Sequence, residues 1–221
     1  MNNPNEILAL MAEAVVEGNR DKAASLAARA VADRLDLHLV IENGYAAGIQ
    51  KVGELWEKGE YFLPELMASA EAMKAAMTLL RPALESSRGE PSSEGKAVIG
   101  TIEGDIHDIG KNLVSSMLSA NGFDVIDLGA DVKLGIFIDR AVEAKVDFIC
   151  LSALLTTTML NQRRLIAMLH DRGLRGRFKV LVGGAPVTRQ WAADIGADGY
   201  GENAMAAVKA AKEIMARGAK P

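Results

Sequence analysis

The chain has 221 residues and a mass of 23.5 kDa, room for one large domain or two small ones. With 49% hydrophobic and 24% charged residues it is composed as a globular protein, and a net charge of −4 offers no field for nucleic acid or an anionic membrane. The one cysteine, Cys150, excludes an intramolecular disulfide and a cysteine-built zinc or iron–sulfur cage, and three histidines (His38, His107, His170) leave little for an all-protein metal site.

Residues 1–6 (MNNPNE) lack the basic start and apolar core of a signal peptide. No stretch approaches the ~20 apolar residues of a membrane helix, so a cytoplasmic protein is expected. Helical spacing opens the chain: Ile7, Leu10, Met11, Ala14 and Val15 share one face, and Leu26, Ala27, Ala30 and Val31 repeat the pattern after Gly18-Asn19. A third helix is predicted from about Leu35 to Lys58, with Leu37, Val40, Ile41, Val52, Leu55 and Trp56 as its apolar positions. A fourth opens near Pro64 and continues through Leu66, Met67, Ala70, Met73, Met77 and Leu80. Four amphipathic helices with short connections predict a four-helix bundle over residues 1–88, with the Met67/Met73/Met77 stripe in its core. His38 and His170 read as ordinary helix residues.

The stretch ESSRGEPSSEG is polar and rich in Ser, Gly and Pro, and residues 89–95 are read as a linker. Over residues 96–221 the pattern changes. Short apolar runs at 96–102, 123–128, 148–151 and 179–182, and a weak one near 199–200, alternate with helical segments at about 109–120, 135–144, 157–171 and 203–217. That alternation predicts an α/β domain with a Rossmann-like, doubly wound parallel sheet. Cys150 falls inside a buried strand and reads as packing.

Ligands of such a sheet sit beyond the carboxyl ends of its strands. The residues there are Glu103 to Asn112 after the first strand, Ser152 to Thr158 after the third, and Gly183-Gly184-Ala185-Pro186 after the fourth. Each has a plain structural use when taken singly: Asp105 as a helix cap, His107 as a loop residue, Gly183-Gly184 as a tight turn, Lys111-Asn112 as a helix opening. Neither GxGxxG nor GxxxxGK(S/T) follows the first strand, which weighs against NAD and ATP. An imidazole two residues after an acid has a further meaning. The carboxylate accepts the Nδ1 proton, fixes the tautomer and makes Nε2 the better metal ligand. One protein ligand suits a metal already caged in a macrocycle.

The full pattern is Asp105-x-His107-x-x-Gly110, 41 intervening residues, Ser152-x-Leu154, 28 more, then Gly183-Gly184. In residues and spacing it resembles the cobalamin-binding signature of methionine synthase, of the corrinoid proteins of methyltransferase systems, and of the acyl-CoA and glutamate mutases. The first half, through Val52-Gly53-Glu54-Leu55-Trp56, Phe62-Leu63-Pro64-Glu65 and Ala70-x-x-Met73-Lys74, is similar to the helical cap of methionine synthase and of the small methyltransferase corrinoid proteins.

The resemblance implies cobalamin bound "base-off, His-on", with His107 as the lower axial ligand of cobalt. Asp105 and Ser152 would complete a hydrogen-bonded triad that takes up a proton when cobalt is reduced. The displaced nucleotide tail would run into a slot lined by Gly110, Ser152, Leu154, Gly183 and Gly184. Gly104, Ile106 and Asp108 would flank the ligand, with Thr156 and the Asn203-Ala204 turn at the tail or corrin edge. In the cap, Glu42 aligns with a position near the corrin's upper side, and Trp56 and Leu63 with positions over the methyl face, where methionine synthase has Phe in place of Trp. Trp56 and Leu63 also fit a plain bundle core.

A free-standing methyl carrier is the function this implies: Co(I) takes a methyl group from one enzyme's substrate and hands it on, as methylcobalamin, to a second enzyme. The expected partners are a substrate-specific methyltransferase, a corrinoid:acceptor methyltransferase and a reductive activator. A lid over the methyl face must move for transfer, which places a hinge in residues 85–95. The alternative is a cobalamin sensor or storage protein, although no basic DNA-binding module is evident. A mutase small subunit, the third possibility, lacks such a cap.

Overall fold

The structure, a computed structural model, describes residues 4–88 and 93–218. It divides into two compact units, Met1–Ser92 with Ser119–Asn121, and Ser93–Leu118 with Gly122–Pro221. Most of the expected linker, residues 89–92, lies outside the described residues, and so does the middle of the expected hinge.

The first unit is helical: α1 Pro4–Val16, α2 Arg20–Ala32, α3 Leu37–Leu39, a π-helical segment Val40–Ala46, α4 Ala47–Glu57 and α5 Leu63–Arg88. Asn19 Oδ1 accepts from Lys22 N at 3.0 Å and caps α2. The buried face of α2 is Ala23, Ala27 and Ala30, small residues that let α5 pack closely. Val31, expected on that face, is exposed. Along α5 the buried Leu66, Ala70, Met73, Met77, Leu80 and Leu84 follow alternating steps of four and three that define one apolar face, which the buried Ser69, Ala72 and Ala76 widen. Full burial of each larger side chain contributes about 1.5–3 kcal/mol. Met67, placed in the core by the sequence, is instead half exposed, because it lies one residue past Leu66 and turns off the buried face.

The third helix is not uniform. Asp36 caps its start, accepting from His38 N at 3.0 Å, and the chain then widens into the π-helical segment before α4. A Cβ on Gly44 would lie 3.2 Å from the Met11 side chain, and one on Gly48 would lie 2.6 Å from Ala12 O, so this run presses directly on α1. Between them the buried Tyr45 donates its hydroxyl to Ala23 O at 2.7 Å, and burial pushes the phenol above its ordinary range. His38 Nε2 is buried with no hydrogen-bond partner among the described residues.

The second unit is a five-stranded parallel sheet in the order β2-β1-β3-β4-β5, formed by β1 Gly95–Thr101, β2 Phe123–Asp127, β3 Phe148–Ser152, β4 Lys179–Gly183 and β5 Gly199–Gly201. Helices α6 Ile109–Ala120, α7 Leu134–Ala144, α8 Thr156–Asp171, α9 Arg189–Asp194 and α10 Ala204–Gly218 connect and follow the strands. Phe148, Ile149, Cys150 and Leu151 of central β3 are all buried, as a parallel strand covered on both faces requires. Burial pushes the Cys150 thiol up to about 12. Helix α9 was not expected from the sequence. It is short, and Thr188 caps it by accepting from Trp191 N at 3.1 Å.

Strand order reverses at β1, which has β2 on one side and β3 on the other, so the loops after β1 and β3 border the switch point. The register aligns Thr101 with Ser152, Ser152 with Gly183 and Gly183 with Gly201. Four strands therefore end in one row, and the loops that leave that row carry the site.

Candidate functional site

The loop after β1 is fixed by its own backbone. Gly104, at φ +84°, donates its amide to Asp131 Oδ1 at 2.7 Å, and Asp131 N returns a bond to Asp105 O at 2.9 Å. A glycine is needed at 104 for that positive φ. Thr101 Oγ1 donates to His107 O at 2.9 Å and ties the far side of the loop to the strand end.

Asp105 is fully buried at the centre. Its Oδ1 accepts from His107 N at 3.1 Å and pairs with His107 Nδ1 at 2.8 Å. Its Oδ2 accepts from Leu154 N at 2.7 Å, Leu155 N at 3.3 Å and Thr158 Oγ1 at 2.7 Å. Burial alone would raise this carboxyl. The bonds from Thr158, Leu154 and His107 outweigh it and hold the group well below the usual carboxylate range. Asp105 is therefore ionised and acts as an acceptor toward Nδ1 of His107, which leaves Nε2 as the ring nitrogen turned away from the carboxylate. The imidazole is 47% exposed.

The structure corrects the expected triad. Ser152 is half-buried at the end of β3 and makes no hydrogen bond to Asp105; its carbonyl accepts from Ile102 N at 2.9 Å. The hydroxyl on Asp105 belongs to Thr158, in the first turn of α8. Five donors already occupy the carboxylate, which leaves Ser152 no free lone pair to meet.

Three polar residues of α8, spaced as one helix face, serve the site: Thr158 on Asp105, Asn161 Nδ2 on Glu103 O at 2.9 Å, and Gln162 on the ends of β3 and β4. From the sequence, Thr158 falls in the run facing the site but without a role, and Asn161 and Gln162 are not singled out. Their signal was available: they fall at helical spacing with the buried Leu165, Ile166 and Leu169, so polar residues stand where an apolar stripe would run. Lys111 is buried too, its Nζ bonded to Asn112 Oδ1 at 2.6 Å and to both oxygens of Asp127, which fastens the start of α6 to the end of β2.

The glycines divide into two kinds. A Cβ on Gly184, at φ +123°, would lie 1.7 Å from Ala153 O, and one on Gly183 would lie 2.9 Å from Gly201 O. Both are demanded by the protein's own packing. A Cβ on Gly110 would meet nothing within 4 Å, so packing within the protein does not account for that glycine. Around His107, Ile106 (77%), Ile109 (75%), Leu154 (41%) and Leu155 (42%) are exposed, an apolar rim suited to the flat face of a macrocycle.

The remaining predicted residues are placed as follows. Asp108 is exposed and accepts from Asn112 N at 2.7 Å through its carbonyl and from Asn112 Nδ2 at 3.1 Å through its carboxylate. Thr156 is exposed at the start of α8. Asn203 caps α10, accepting from Ala206 N at 2.9 Å, and Ala204 is buried. In the first unit, Glu42 is exposed on the π-helical segment, Trp56 is half-buried near the end of α4, and Leu63 is 39% exposed at the start of α5 beside exposed Phe62 and Met67. Trp56 and Leu63 are thus not enclosed core residues. Among the described residues no group of three His, Cys, Asp or Glu side chains is placed to hold a bare metal ion. A single imidazole with a fixed tautomer, an apolar rim and an unfilled glycine position fit a corrin whose cobalt already has its equatorial nitrogens. No helix among the described residues is long and apolar enough to cross a membrane.

Comparison with known proteins agrees with this geometry. Residues 95–209 match a family model described as a B12 binding domain, and residues 7–81 match a second model of the same description. Trimethylamine corrinoid protein 1 of Methanosarcina mazei is 47% identical over 215 residues, 97% of this chain and 100% of the relative. A corrinoid protein of Desulfitobacterium hafniense is 47% identical over 206 residues, 93% of this chain and 95% of the relative. Among solved structures, the methanol:cobalamin methyltransferase complex MtaBC of Methanosarcina barkeri superposes with a TM-score of 0.83 at 32% identity, covering 97% of this chain and 81% of the other. A cobalamin-binding protein of Desulfitobacterium hafniense DCB-2 superposes at 0.78 and 34% identity, covering 93% and 97%.

Proposed function

This chain belongs to the B12-binding family, with a cobalamin-type corrinoid as its cofactor, and on that premise we propose that it is a methyl carrier that holds cobalamin base-off with His107 as the lower ligand of cobalt. The observation that carries this reading is the His107 Nδ1–Asp105 Oδ1 pair at 2.8 Å, on a carboxylate that Thr158 and Leu154 hold ionised.

Bound there, the corrinoid supplies a cobalt centre that accepts and releases a methyl group while cycling between Co(I) and Co(III). The chain's residues do the rest. Asp105 keeps the His107 proton on Nδ1 and aims Nε2 outward. Ile106, Ile109 and Leu154 present apolar surface to the corrin face and exclude water beside the imidazole. Gly110, where an added Cβ would meet nothing within 4 Å, would leave room for the displaced nucleotide tail, with Gly183-Gly184 as further residues to hold it. Thr158, through its bond to Asp105 Oδ2, would keep that carboxylate in place behind the imidazole whether or not a corrinoid is bound.

Methyltransferases are the partners. The relatives named for trimethylamine and dimethylamine support a methylated amine as the donor class, and the donor itself is read by the partner's active site. A corrinoid:acceptor methyltransferase and a reductive activator would be the further partners of such a carrier.

The test is the visible spectrum of the protein reconstituted with cobalamin. The wild type is expected to show a base-off, histidine-ligated corrinoid. His107→Ala is expected to retain the corrinoid with a changed spectrum, because water or no ligand then occupies the lower position. Identical spectra would remove His107 as the ligand, and a wild type without corrinoid bands overturns the whole reading.

A further inference from the structure

Gln162 is fully buried on α8, and its amide is used on the carboxyl end of the sheet. Nε2 donates to Leu151 O and to Gly183 O, each at 3.2 Å, and Oε1 accepts from Trp191 Nε1 at 3.1 Å. Leu151 lies on β3 and Gly183 on β4, and Ser152 pairs with Gly183 in register. One side-chain amide therefore spans the β3–β4 seam at the point where both strands end. An indole N–H only donates, so Trp191 requires the amide oxygen on its side and the nitrogen toward the two carbonyls. The Arg163 guanidinium lies 4.5 Å from the Trp191 ring centroid and covers that ring.

The seam is tightly packed where the two strands end. Gly184 sits so close to Ala153 that a Cβ would lie 1.7 Å from Ala153 O. Ala153 N in turn donates to Gly183 O at 3.1 Å. Leu154, the next residue, donates its amide to Asp105 Oδ2 at 2.7 Å. A change in the separation of the two strand ends is thus transmitted to Gly183-Gly184 on one side and toward the Asp105–His107 pair on the other. Packing alone does not call for an amide here, since the next buried positions toward the end of the same helix are Leu165, Ile166 and Leu169.

We propose that Gln162, oriented by Trp191, is a positioning residue for the cofactor's nucleotide tail: it sets the separation of the β3 and β4 ends and so the width of the slot beside Gly183-Gly184. This rests on the base-off reading above, in which the tail enters that slot. Gln162 itself touches neither the corrin nor the cobalt ligand.

The test compares binding of cobalamin with binding of cobinamide, which keeps the corrin and lacks the nucleotide tail. The wild type is expected to favour cobalamin. Gln162→Leu is expected to lower the affinity for cobalamin about tenfold and to leave that for cobinamide within about twofold. Trp191→Phe keeps the ring and removes only the N–H, so it is expected to fold as the wild type does and to shift the ratio in the same sense by a smaller factor. That second variant decides the matter if Gln162→Leu does not fold. Equal losses for both corrinoids, or an unchanged cobalamin affinity in a folded variant, would overturn the positioning role. A wild type that binds both corrinoids equally would instead remove the tail slot, and the base-off reading with it.

Discussion

Thr158 Oγ1 donates to Asp105 Oδ2 across 2.7 Å, on the carboxylate oxygen opposite the one that holds His107. The two residues are 53 positions apart in sequence, and their bond is what joins the first turn of α8 to the loop after β1. Thr158→Val removes the hydroxyl and leaves a buried carboxylate short of one donor, so a loss of about 1–3 kcal/mol is expected. Thr158→Ser restores the donor and most of the stability. Ser152→Ala is expected to change stability by no more than about 0.5 kcal/mol. Urea unfolding of the three variants checks the assignment, and a Ser152→Ala loss as large as that of Thr158→Val would return the role to Ser152.

Gly110 and Gly184 are expected to respond in opposite ways to alanine. At 110 the added methyl meets nothing and the backbone is helical, so Gly110→Ala leaves the fold intact or stabilises it by about 0.5–1 kcal/mol. If the proposed tail passes Gly110, the same methyl takes up that space, and cobalamin affinity is expected to fall. At 184 the methyl collides with Ala153 O, and Gly184→Ala is expected to destabilise the second unit before any ligand is added. Thermal unfolding followed by cobalamin titration separates the two. A Gly110→Ala protein that binds cobalamin as the wild type does would show that the open space at 110 is not used.

Cys150 provides a pH signature. Its thiol is pushed up to about 12 by burial from an ordinary value of 9.0. A folded-state value raised above the unfolded one contributes stability that is fully present below pH 9 and is lost as pH rises toward 12. Cys150→Val removes that component, so its stability is expected to fall less steeply than the wild type's over this alkaline interval. At neutral pH the native thiol is expected to resist a thiol-reactive disulfide reagent and to react once denaturant opens the core. Rapid labelling of the native protein would contradict the burial.

Asp105→Asn tests the electrostatics of the same cluster. The amide nitrogen it introduces must face either His107 Nδ1 or the donors from Leu154 and Thr158. At least one donor–donor clash results, and about 2–4 kcal/mol of stability is expected to be lost. In the folded fraction His107 is no longer held to one tautomer, and the visible spectrum of bound cobalamin is expected to approach that of His107→Ala. A spectrum unchanged from the wild type would show that Asp105 does not control the ligand.

Much of the second unit could be read from the chain because its determinants are local. A strand covered on both faces is a short apolar run, and Lys179 to Gly183 reads so without knowledge of its neighbours. Asp105 and His107 are two residues apart, and that separation alone brings a carboxylate to Nδ1. The first unit was legible to the same degree and for the same reason, since Leu66, Ala70, Met73 and Met77 share a face by helix geometry. Local spacing did not reveal the π-helical segment, which arises where Gly44 and Gly48 press on α1. Nor did it reveal α9, too short to show a period.

The choice between Ser152 and Thr158 marks the boundary. Both are hydroxyl residues in one run after β3, and periodicity treats them alike. Which of them reaches Asp105 depends on where α8 begins and how it lies against the loop after β1. The amide of Gln162 is the same kind of case: a polar residue on a helix face acquires meaning only when the ends of two strands and the Trp191 indole are brought to it. The sequence by itself determined the alternation of elements, the histidine with its carboxylate, and the spacing that marks a corrinoid site, because each is a relation along the chain. The tertiary structure decided which distant donors hold that carboxylate, because a buried charge is satisfied only by groups that folding brings within hydrogen-bond reach.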